Sequence, residues 1–391
     1  MIYLDNAATT KMKDSVLNAM LPYFTENFGN ASSTYTTPGQ SARKALNESR
    51  KKIAEAIGAQ ENEIFFTSGG SEADNWAIKG VMLRNRKKGN HIITTKVEHH
   101  AVLHTCEFLE KQGFEVTYLP VNEYGEVSVE DVKNAITEKT VLVSIMYANN
   151  EIGTINPISE IGQLCKEKGV LFHTDAVQAA GAVPINVKEQ NIDLLSMSAH
   201  KFHGPKGVGV LYVRKGVSVE NLLHGGAQES GKRATTENVP GIVGMAQALC
   251  EACANMEEKT KKIVKLRDKL IKGVLETIPY TRLNGHPERR LPNNTSFCFR
   301  YIEGESLLLS LDIGGFVVSS GSACTSGSLD PSHVLLAIGL EHEIAHGSMR
   351  ATLSEFTTEE EIDKFLAALG PIVKRLRDMS PLYEGVERND K

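Results

Sequence analysis

Several features that would place a protein in a specialised class are missing from this sequence. No apolar run approaches the roughly 18 residues that a membrane-spanning helix needs. The first residues have neither the basic stretch nor the apolar core of an export signal, so we expect a cytoplasmic protein. The 43 basic and 48 acidic residues nearly balance. This balance gives no electrostatic reason to expect nucleic acid or an anionic membrane as a partner.

Cysteine is sparse and scattered, with six residues in a chain of 391. Without an export signal, this distribution favours free thiols in a reducing compartment over disulfides. Cys250 and Cys253 have the C-x-x-C spacing, but they lie in a run with helical apolar periodicity and without a second pair. We interpret them as part of a packed helix face, with a metal or redox pair as the alternative.

Short apolar segments alternate with helical patterns over the first 240 residues. The segments that we predict as strands are Ile64–Thr67, His91–Thr95, Val116–Leu119, Val141–Ile145, Val170–Asp175, Leu194–Ser198 and Val208–Val213. Such alternation is typical of an α/β protein in which helices cover both faces of a mostly parallel sheet.

Beyond Pro240 the pattern changes to that of a smaller α+β domain. We predict one long helix over residues 242–274, joining the two parts of the chain, and a last helix that opens with a capping box at Thr358. Gly370-Pro371 is expected to kink or break that last helix. The predicted organisation is an N-terminal segment (1–15) packing with the small domain, a large cofactor-binding domain (16–255) and a small C-terminal domain (256–391).

Polar residues follow several predicted strands, where α/β proteins bind their ligands. Lys201 comes after the strand 194–198, and a desolvated lysine there could form a Schiff base; an ordinary surface lysine is the alternative. Ser68–Ser71, between a strand and a helix, could cradle a phosphate or simply cap the helix. Neither a P-loop nor a dinucleotide fingerprint is present, which disfavours a hydride-transfer enzyme.

Three further strand ends carry candidate groups. Asp175 could pair with a cationic ring nitrogen or cap a helix, and Gln178 lies one turn beyond it. His99 could stack on a planar cofactor and move protons, or cap the helix that it opens. Asn150 could bind a ring hydroxyl or only form a turn.

Cys324 and Arg350 complete the set of candidates. Cys324 lies in a Ser/Gly-rich run, 319–328, without apolar periodicity, which predicts an exposed loop and a reactive thiol. Arg350 could bind a substrate carboxylate through two parallel hydrogen bonds, with a surface arginine as the alternative. Together these groups match pyridoxal-phosphate chemistry on an amino acid.

The sequence also resembles the cysteine desulfurases of the NifS/IscS type, which are class V aminotransferase-like, pyridoxal-phosphate enzymes of fold type I. The resemblance spans nearly the whole chain. It is carried by Tyr3–Thr10, Thr67–Glu72, Glu98-His99, Asn149–Gly153, Thr174–Gln178, Ser198–Lys201, Gly225–Glu229, Ser319–Gly327, Pro331–Val334 and Ala345–Arg350. It implies a large domain with a seven-stranded, mostly parallel sheet and a smaller α+β domain.

The resemblance implies a role for each candidate. Lys201 would hold pyridoxal 5'-phosphate as a Schiff base and move protons, with His99 stacked on the ring. Asp175 would pair with the ring nitrogen, and Gln178 or Asn150 with the ring hydroxyl. The residues expected at the phosphate are Gly70, Ser71, Ser198, Ala199, His200 and, from the neighbouring subunit of a homodimer, Thr236.

On the substrate side, Arg350, with Asn150 and Asn30, would hold the carboxylate of L-cysteine. Cys324 would attack the substrate sulfur, His99 being the candidate to take its proton. The products would be L-alanine and a persulfide on Cys324, passed to an iron–sulfur scaffold or to tRNA thiolation. No resident metal is expected; transient iron ligation by Cys324 is left open. A selenocysteine lyase, another lyase or aminotransferase of this fold, and a non-catalytic sulfur carrier are the alternatives.

Three departures from the family pattern stand out. Tyr35 replaces the usual histidine, Thr235 replaces a glycine, and Ser354-Glu355 replaces Gly-Arg, which reverses a charge. The C-terminal segment from Ser380 begins like the tail that docks scaffold proteins but ends early.

Overall fold

The computed structural model describes residues 1–320 and 331–383. Its strands are β1 (Ile2–Tyr3), β2 (Ile64–Thr67), β3 (His91–Thr95), β4 (Glu115–Leu119), β5 (Thr140–Ser144), β6 (Leu171–Asp175), β7 (Leu194–Ser198), β8 (Gly209–Val213), β9 (Thr281–Leu283), β10 (Asn294–Phe299), β11 (Phe316–Val317) and β12 (Ser348–Thr352). Its helices are α1 (Asp14–Met20), α2 (Pro22–Thr25), α3 (Thr37–Ala56), α4 (Gly70–Arg84), α5 (His100–Glu110), α6 (Val129–Ala135), α7 (Ile158–Lys168), α8 (Gln228–Gly231), α9 (Val239–Cys253), α10 (Met256–Thr277), α11 (Gly304–Ile313), α12 (His333–Ala337), α13 (His342–His346) and α14 (Glu359–Asp378).

A seven-stranded sheet forms the centre of the large part, in the order β2-β8-β7-β6-β5-β3-β4. Strands β3 to β7 pair in parallel, and β8 runs antiparallel to both of its neighbours. Four of the strands, β3, β5, β7 and β8, are buried along their whole length because helices cover both faces. The predicted α/β class and the mostly parallel sheet are confirmed.

Each face of the sheet has its own apolar core. On one face, Trp76 and Met82 of α4 pack with Val102 of α5. On the other, Leu46 of α3 packs with Met245 of α9. The sheet is thereby held from both sides, which fixes the positions of its strand ends.

The C-terminal part is a separate layer. Its antiparallel sheet β12-β10-β9 packs against α10, α11 and α14 around Phe297 and Phe365. Leu4 is fully buried in the same core, and β1 pairs in parallel with β11. The first residues of the chain therefore pack with the C-terminal part, whereas the predicted boundaries at residues 15 and 255 stay predictions.

The predicted single helix is wrong, and the predicted break at Gly370-Pro371 does not occur. The single helix over residues 242–274 is instead α9 and α10, because Asn255 takes a left-handed conformation (φ 52°) that ends one helix before the next begins. Helix α14 opens with the predicted capping box but runs through Pro371 without ending. Pro371 and Ala367, whose carbonyl loses its partner to the proline, both face solvent, where water can bond that carbonyl.

Over the described ranges, none of the helices combines the length and the apolar character required to cross a bilayer.

Candidate active site

A cavity of about 320 Å³ lies where the carboxyl ends of the central strands meet the C-terminal part. It is lined by Ala7, Ala8, Gly70, Ser71, Asp74, His99, Met146, Ala148, Asn150, Asp175, Val177, Gln178, Ser198, His200, Lys201 and Arg350. The sequence-predicted candidates among them come from segments far apart in the chain. The fold therefore brings most of the predicted site residues to one place.

Lys201 enters the cavity directly after β7, on a short 3₁₀ turn. Its ammonium group donates to the carbonyl oxygens of Ala7, at 2.5 Å, and Ala8, at 2.8 Å. Gln178 also donates to the Ala7 carbonyl, at 3.0 Å. The N-terminal segment thus forms a wall of the cavity against the lysine.

The N-terminus of α4 is suited to an anion. The first amides of a helix have no intrahelical acceptor, and Gly69, which precedes α4, supplies no side-chain cap. A Cβ atom on Gly70 would come within 2.6 Å of Val177, so this close approach requires glycine. Ser198 lies opposite, and the His200 ring contacts Thr9 at 3.1 Å. Burial lowers the pKa of His200 to about 4, so its ring is neutral.

Asp175 ends β6 and faces the cavity. Its Oδ1 accepts a hydrogen bond from the Val177 amide at 2.9 Å. Burial raises the pKa of Asp175 to about 6, although the Val177 hydrogen bond and the Lys201 charge pull the pKa the other way. The carboxyl group is thus ready to ionise when a cation is placed beside it.

A buried polar network behind Asp175 was missed from the sequence. The ring of His173 contacts the Ser144 hydroxyl at 2.8 Å and the Ser196 hydroxyl at 3.0 Å, and it lies 3.6 Å from Oδ1 of Asp74. Burial, followed by the charge of Asp175, raises the pKa of Asp74 well above its usual range. The available signal was the polar side chains that these strands direct to one face within an apolar core.

His99 caps α5 through its own ring. Its Nδ1 accepts the Ala101 amide at 3.1 Å, so the neutral ring carries its proton on Nε2. Burial, followed by the charge of Lys201, lowers the pKa of His99 to about 4. In this tautomer Nε2 can donate a hydrogen bond into the cavity, and the predicted proton-taking role would require the Nδ1 hydrogen bond to the Ala101 amide to break.

Glu98, next to His99, is a fully buried acid. Its Oε1 accepts from the Thr95 hydroxyl at 2.7 Å and the Met146 amide at 3.0 Å. Burial raises the pKa of Glu98 to about 8. A neutral carboxylic acid therefore lies beneath the cavity at pH 7.

Arg350 projects from β12 with its side chain 4% exposed. One terminal nitrogen donates to Asp5 Oδ1 at 3.0 Å and to the Ser319 hydroxyl at 2.7 Å, and the other to the Asn150 carbonyl at 2.9 Å. Its Nε is buried and has no hydrogen-bond partner among the described residues. Arg350 therefore lines the cavity as one half of an ion pair with Asp5.

Three predicted residues do not line the cavity. Asn30 is exposed and its Oδ1 accepts the Ser32 amide at 2.8 Å. Ala199 is fully buried, with its amide bonded to the Val208 carbonyl. Thr236 is exposed, away from the cavity of its own chain. Their predicted roles stay predictions.

Cys324, the predicted nucleophile, lies outside the described residues. The described residues on either side are held by side-chain hydrogen bonds. The Ser319 hydroxyl accepts from Arg350, which lines the cavity, and the Ser332 hydroxyl donates to the buried carboxyl group of Glu151. Within the described ranges, no cluster of His, Cys, Asp and Glu side chains is arranged to hold a metal ion.

The departures from the family pattern lie apart from the cavity lining. Tyr35 is 99% exposed, and Thr235 is also exposed. The reversed charge at Glu355 is balanced by Lys13, whose ammonium lies 2.6 Å from its carboxylate.

Comparison with known proteins decides the family. The aminotransferase class-V family profile matches residues 2–365. A cysteine desulfurase IscS of Clostridium botulinum is 62% identical over 390 residues, which cover 99% of this chain and 98% of the relative. That of Methanosarcina thermophila is 60% identical over 381 residues, covering 97% and 94%. The chain belongs to the cysteine desulfurases of the NifS/IscS type.

Solved structures agree with this assignment. A NifS-like protein superimposes with a TM-score of 0.90 at 41% identity, covering 96% of this chain and all of the other. A structure described as SspA in complex with cysteine gives a TM-score of 0.80 at 36% identity, covering 92% of this chain and all of the other. The predicted fold type I and the predicted desulfurase activity are both confirmed.

Proposed function

We propose that this desulfurase binds pyridoxal 5'-phosphate at Lys201 and removes sulfur from L-cysteine, leaving L-alanine and a persulfide on Cys324. The observation that carries the proposal is the convergence of Lys201, Asp175, His99 and Arg350 on one cavity. An amine, an acid, a ring and a carboxylate receptor are the groups that such a reaction requires.

The residues present fit this cofactor. The uncapped N-terminus of α4, with Gly70 and Ser71, would bind its phosphate, and Ser198 and His200 would flank the phosphate. Asp175 would hold the ring nitrogen in its cationic form, and Gln178 or Asn150 would bind the ring hydroxyl. When bound, the cofactor supplies an electron sink that loosens the α-proton of the amino acid.

The geometry of the cavity supports the following roles for the protein groups. Arg350 would orient the substrate carboxylate, and Lys201, held in the cavity by the Ala7 and Ala8 carbonyls, would move the α-proton. His99 Nε2 would donate a hydrogen bond towards the substrate. The Cys324 thiol would release its proton to solvent, and the small thiolate fraction present near pH 7 would attack the substrate sulfur, so that a sulfur–sulfur bond forms as the carbon–sulfur bond breaks. The remaining three-carbon unit gains a proton and leaves as alanine.

The proposal extends to assembly and location. Thr236 is exposed and away from its own cavity, which supports a role at the phosphate of a second subunit in a homodimer. The sulfur acceptor would be an iron–sulfur scaffold or a tRNA-thiolation protein. Each cysteine that the structure describes is a free thiol, as expected in the reducing cytoplasm.

The test is a product assay on the purified holoenzyme. Cysteine should yield alanine and, with a reductant, sulfide. Cys324→Ser should retain the visible absorption of the cofactor but lose sulfide release. Cys250→Ser, a change at a half-buried position of α9, should keep both. The proposal would be contradicted if sulfide release persisted in Cys324→Ser, or if the parent protein consumed cysteine without forming alanine.

A further inference from the structure

Arg350 does not present a free guanidinium to the cavity. An arginine has five N–H donors, and it binds a carboxylate bidentately along an edge where two N–H bonds run parallel. One such edge joins the two terminal nitrogens, Nη1 and Nη2, and the other joins Nε to Nη2. Both edges therefore include Nη2, which already donates to Asp5 and to Ser319.

A carboxylate that binds Arg350 along either edge must replace Asp5 or Ser319 as the acceptor of one of these hydrogen bonds. Ser319 is neutral, but Asp5 is an anion 3.0 Å from the same nitrogen. Two carboxylates on one buried guanidinium repel each other strongly because little solvent screens them. The other acid near Arg350 is Glu151, which is buried and bonded to Ser332.

The backbone of Asp5 is fixed, so only its side chain can move away from Arg350 when another carboxylate binds. Asp5 forms an isolated β-bridge with Thr352, and its carbonyl accepts the Tyr3 hydroxyl at 3.0 Å. These contacts keep the Asp5 carboxylate next to Arg350, where it balances a charge that would otherwise be buried alone.

We propose that Asp5 is an internal competitor of the substrate carboxylate for Arg350, and so sets how tightly this cavity binds amino acid carboxylates. The inference rests on Arg350 as the carboxylate receptor of the proposed function. Asp5 is a positioning residue. Its carboxylate holds the Arg350 guanidinium in place when no substrate is bound, and it releases one Arg350 N–H group to the substrate carboxylate when the substrate binds.

The competition has a direct consequence for Asp5→Asn. Removing the charge leaves Arg350 uncompensated, which lowers the stability of the free protein. An incoming carboxylate then restores the balance, so it should bind more tightly. A residue that only supported the fold would lower stability without increasing affinity for anions.

Propionate, which has a carboxylate but no amine or thiol, is a suitable probe, and propionamide is its uncharged control. Dissociation constants would be measured on the holoenzyme from the change in cofactor absorption and from the rise in melting temperature. We expect propionate to bind Asp5→Asn about tenfold more tightly than the parent, with propionamide unaffected. Asp14→Asn, which removes an exposed charge at the start of α1, should behave as the parent.

Kinetics provide an independent readout. In Asp5→Asn the KM for cysteine should fall more than kcat changes, since the gain is in ground-state binding. Propionate binding that is unchanged or weaker in Asp5→Asn would overturn the competition. Propionate binding that survives in Arg350→Gln would also overturn the competition, because the carboxylate receptor itself would then be misassigned; cysteine turnover would still test the proposed reaction separately.

Discussion

The two sides of the cavity are built in different ways. The sheet side consists of groups at the ends of neighbouring strands and in the first turns of α4. Burial raises the pKa values of its acids Asp74 and Glu98 and lowers the pKa of His99. The opposite side pairs Arg350 with Asp5, from the two ends of the chain. The sheet side thus surrounds Lys201 and Asp175 with buried groups that are uncharged at pH 7, whereas the other side is an ion pair. This difference fits the proposed division, in which the cofactor would bind the first side and the substrate carboxylate the second.

The largest effect should come from Lys201→Ala, which removes the amine of the sheet side. We expect loss of the visible absorption and a fall in sulfide release of at least about 100-fold, because the proton-moving group is lost. Absorption spectra and sulfide assays would show this, with Lys206→Ala, an exposed lysine in the following loop, as the control. Normal visible absorption and turnover in Lys201→Ala would show that Lys201 neither binds the cofactor nor takes part in the reaction.

On the opposite side, Arg350→Lys should act on binding. Lysine keeps the charge but loses the two parallel donors, so the KM for cysteine should rise about tenfold or more with a smaller change in kcat. Steady-state kinetics would test this, with Arg282→Lys in β9 as the control. An unchanged KM would show that the two sides do not divide cofactor from carboxylate.

Glu98→Gln tests the neutral character of the sheet side. The pKa of Glu98, raised by burial to about 8, means that the folded protein keeps a proton that the unfolded chain releases above its ordinary pKa of 4.5. The free energy of unfolding contributed by this group therefore falls as pH rises from about 5 to 8. Melting temperatures of the cofactor-free protein should fall less steeply over that range in Glu98→Gln.

The comparison for that experiment is Glu257→Gln, an exposed acid in the first turn of α10 that should follow the parent's slope. Equal slopes in all three proteins would mean that Glu98 is ionised in the folded state.

The smallest effect concerns the charge reversal at Glu355. Its pair with Lys13 is partly exposed, so Lys13→Glu or Glu355→Lys alone should lower the free energy of unfolding by about 1 kcal/mol. The double exchange should restore most of the loss, as measured by urea unfolding. Additive losses in the double variant would show that the two charges do not interact.

The sheet side was largely predictable because the chemistry-bearing residues directly follow apolar strands. Lys201, Asp175 and His99 could be placed from the sequence because the carboxyl ends of parallel strands share one edge. Asp74 could not be placed from the sequence. A polar residue within a helix is usually exposed to solvent, and its burial is evident only once the packing of α4 is known. Pro371 was misjudged for the same reason: its exposure, which decides whether the helix survives, is a tertiary property.

The opposite side was only half predictable. Arg350 was identified by its chemistry, but its partner Asp5 is 345 positions away and is brought there by the pairing of β1 with β11 and of Asp5 with Thr352. Nothing local in either segment signals that contact. Cys324 was assigned by its Ser/Gly-rich surroundings and the resemblance, and lies outside the described residues.

The central claim is that Lys201 is the point of cofactor attachment. Reduction of the holoenzyme with sodium borohydride, followed by protease digestion and peptide mass analysis, should place one phosphopyridoxyl group on the peptide containing Lys201. The group on any other lysine, or no modified peptide from a coloured preparation, would contradict the account.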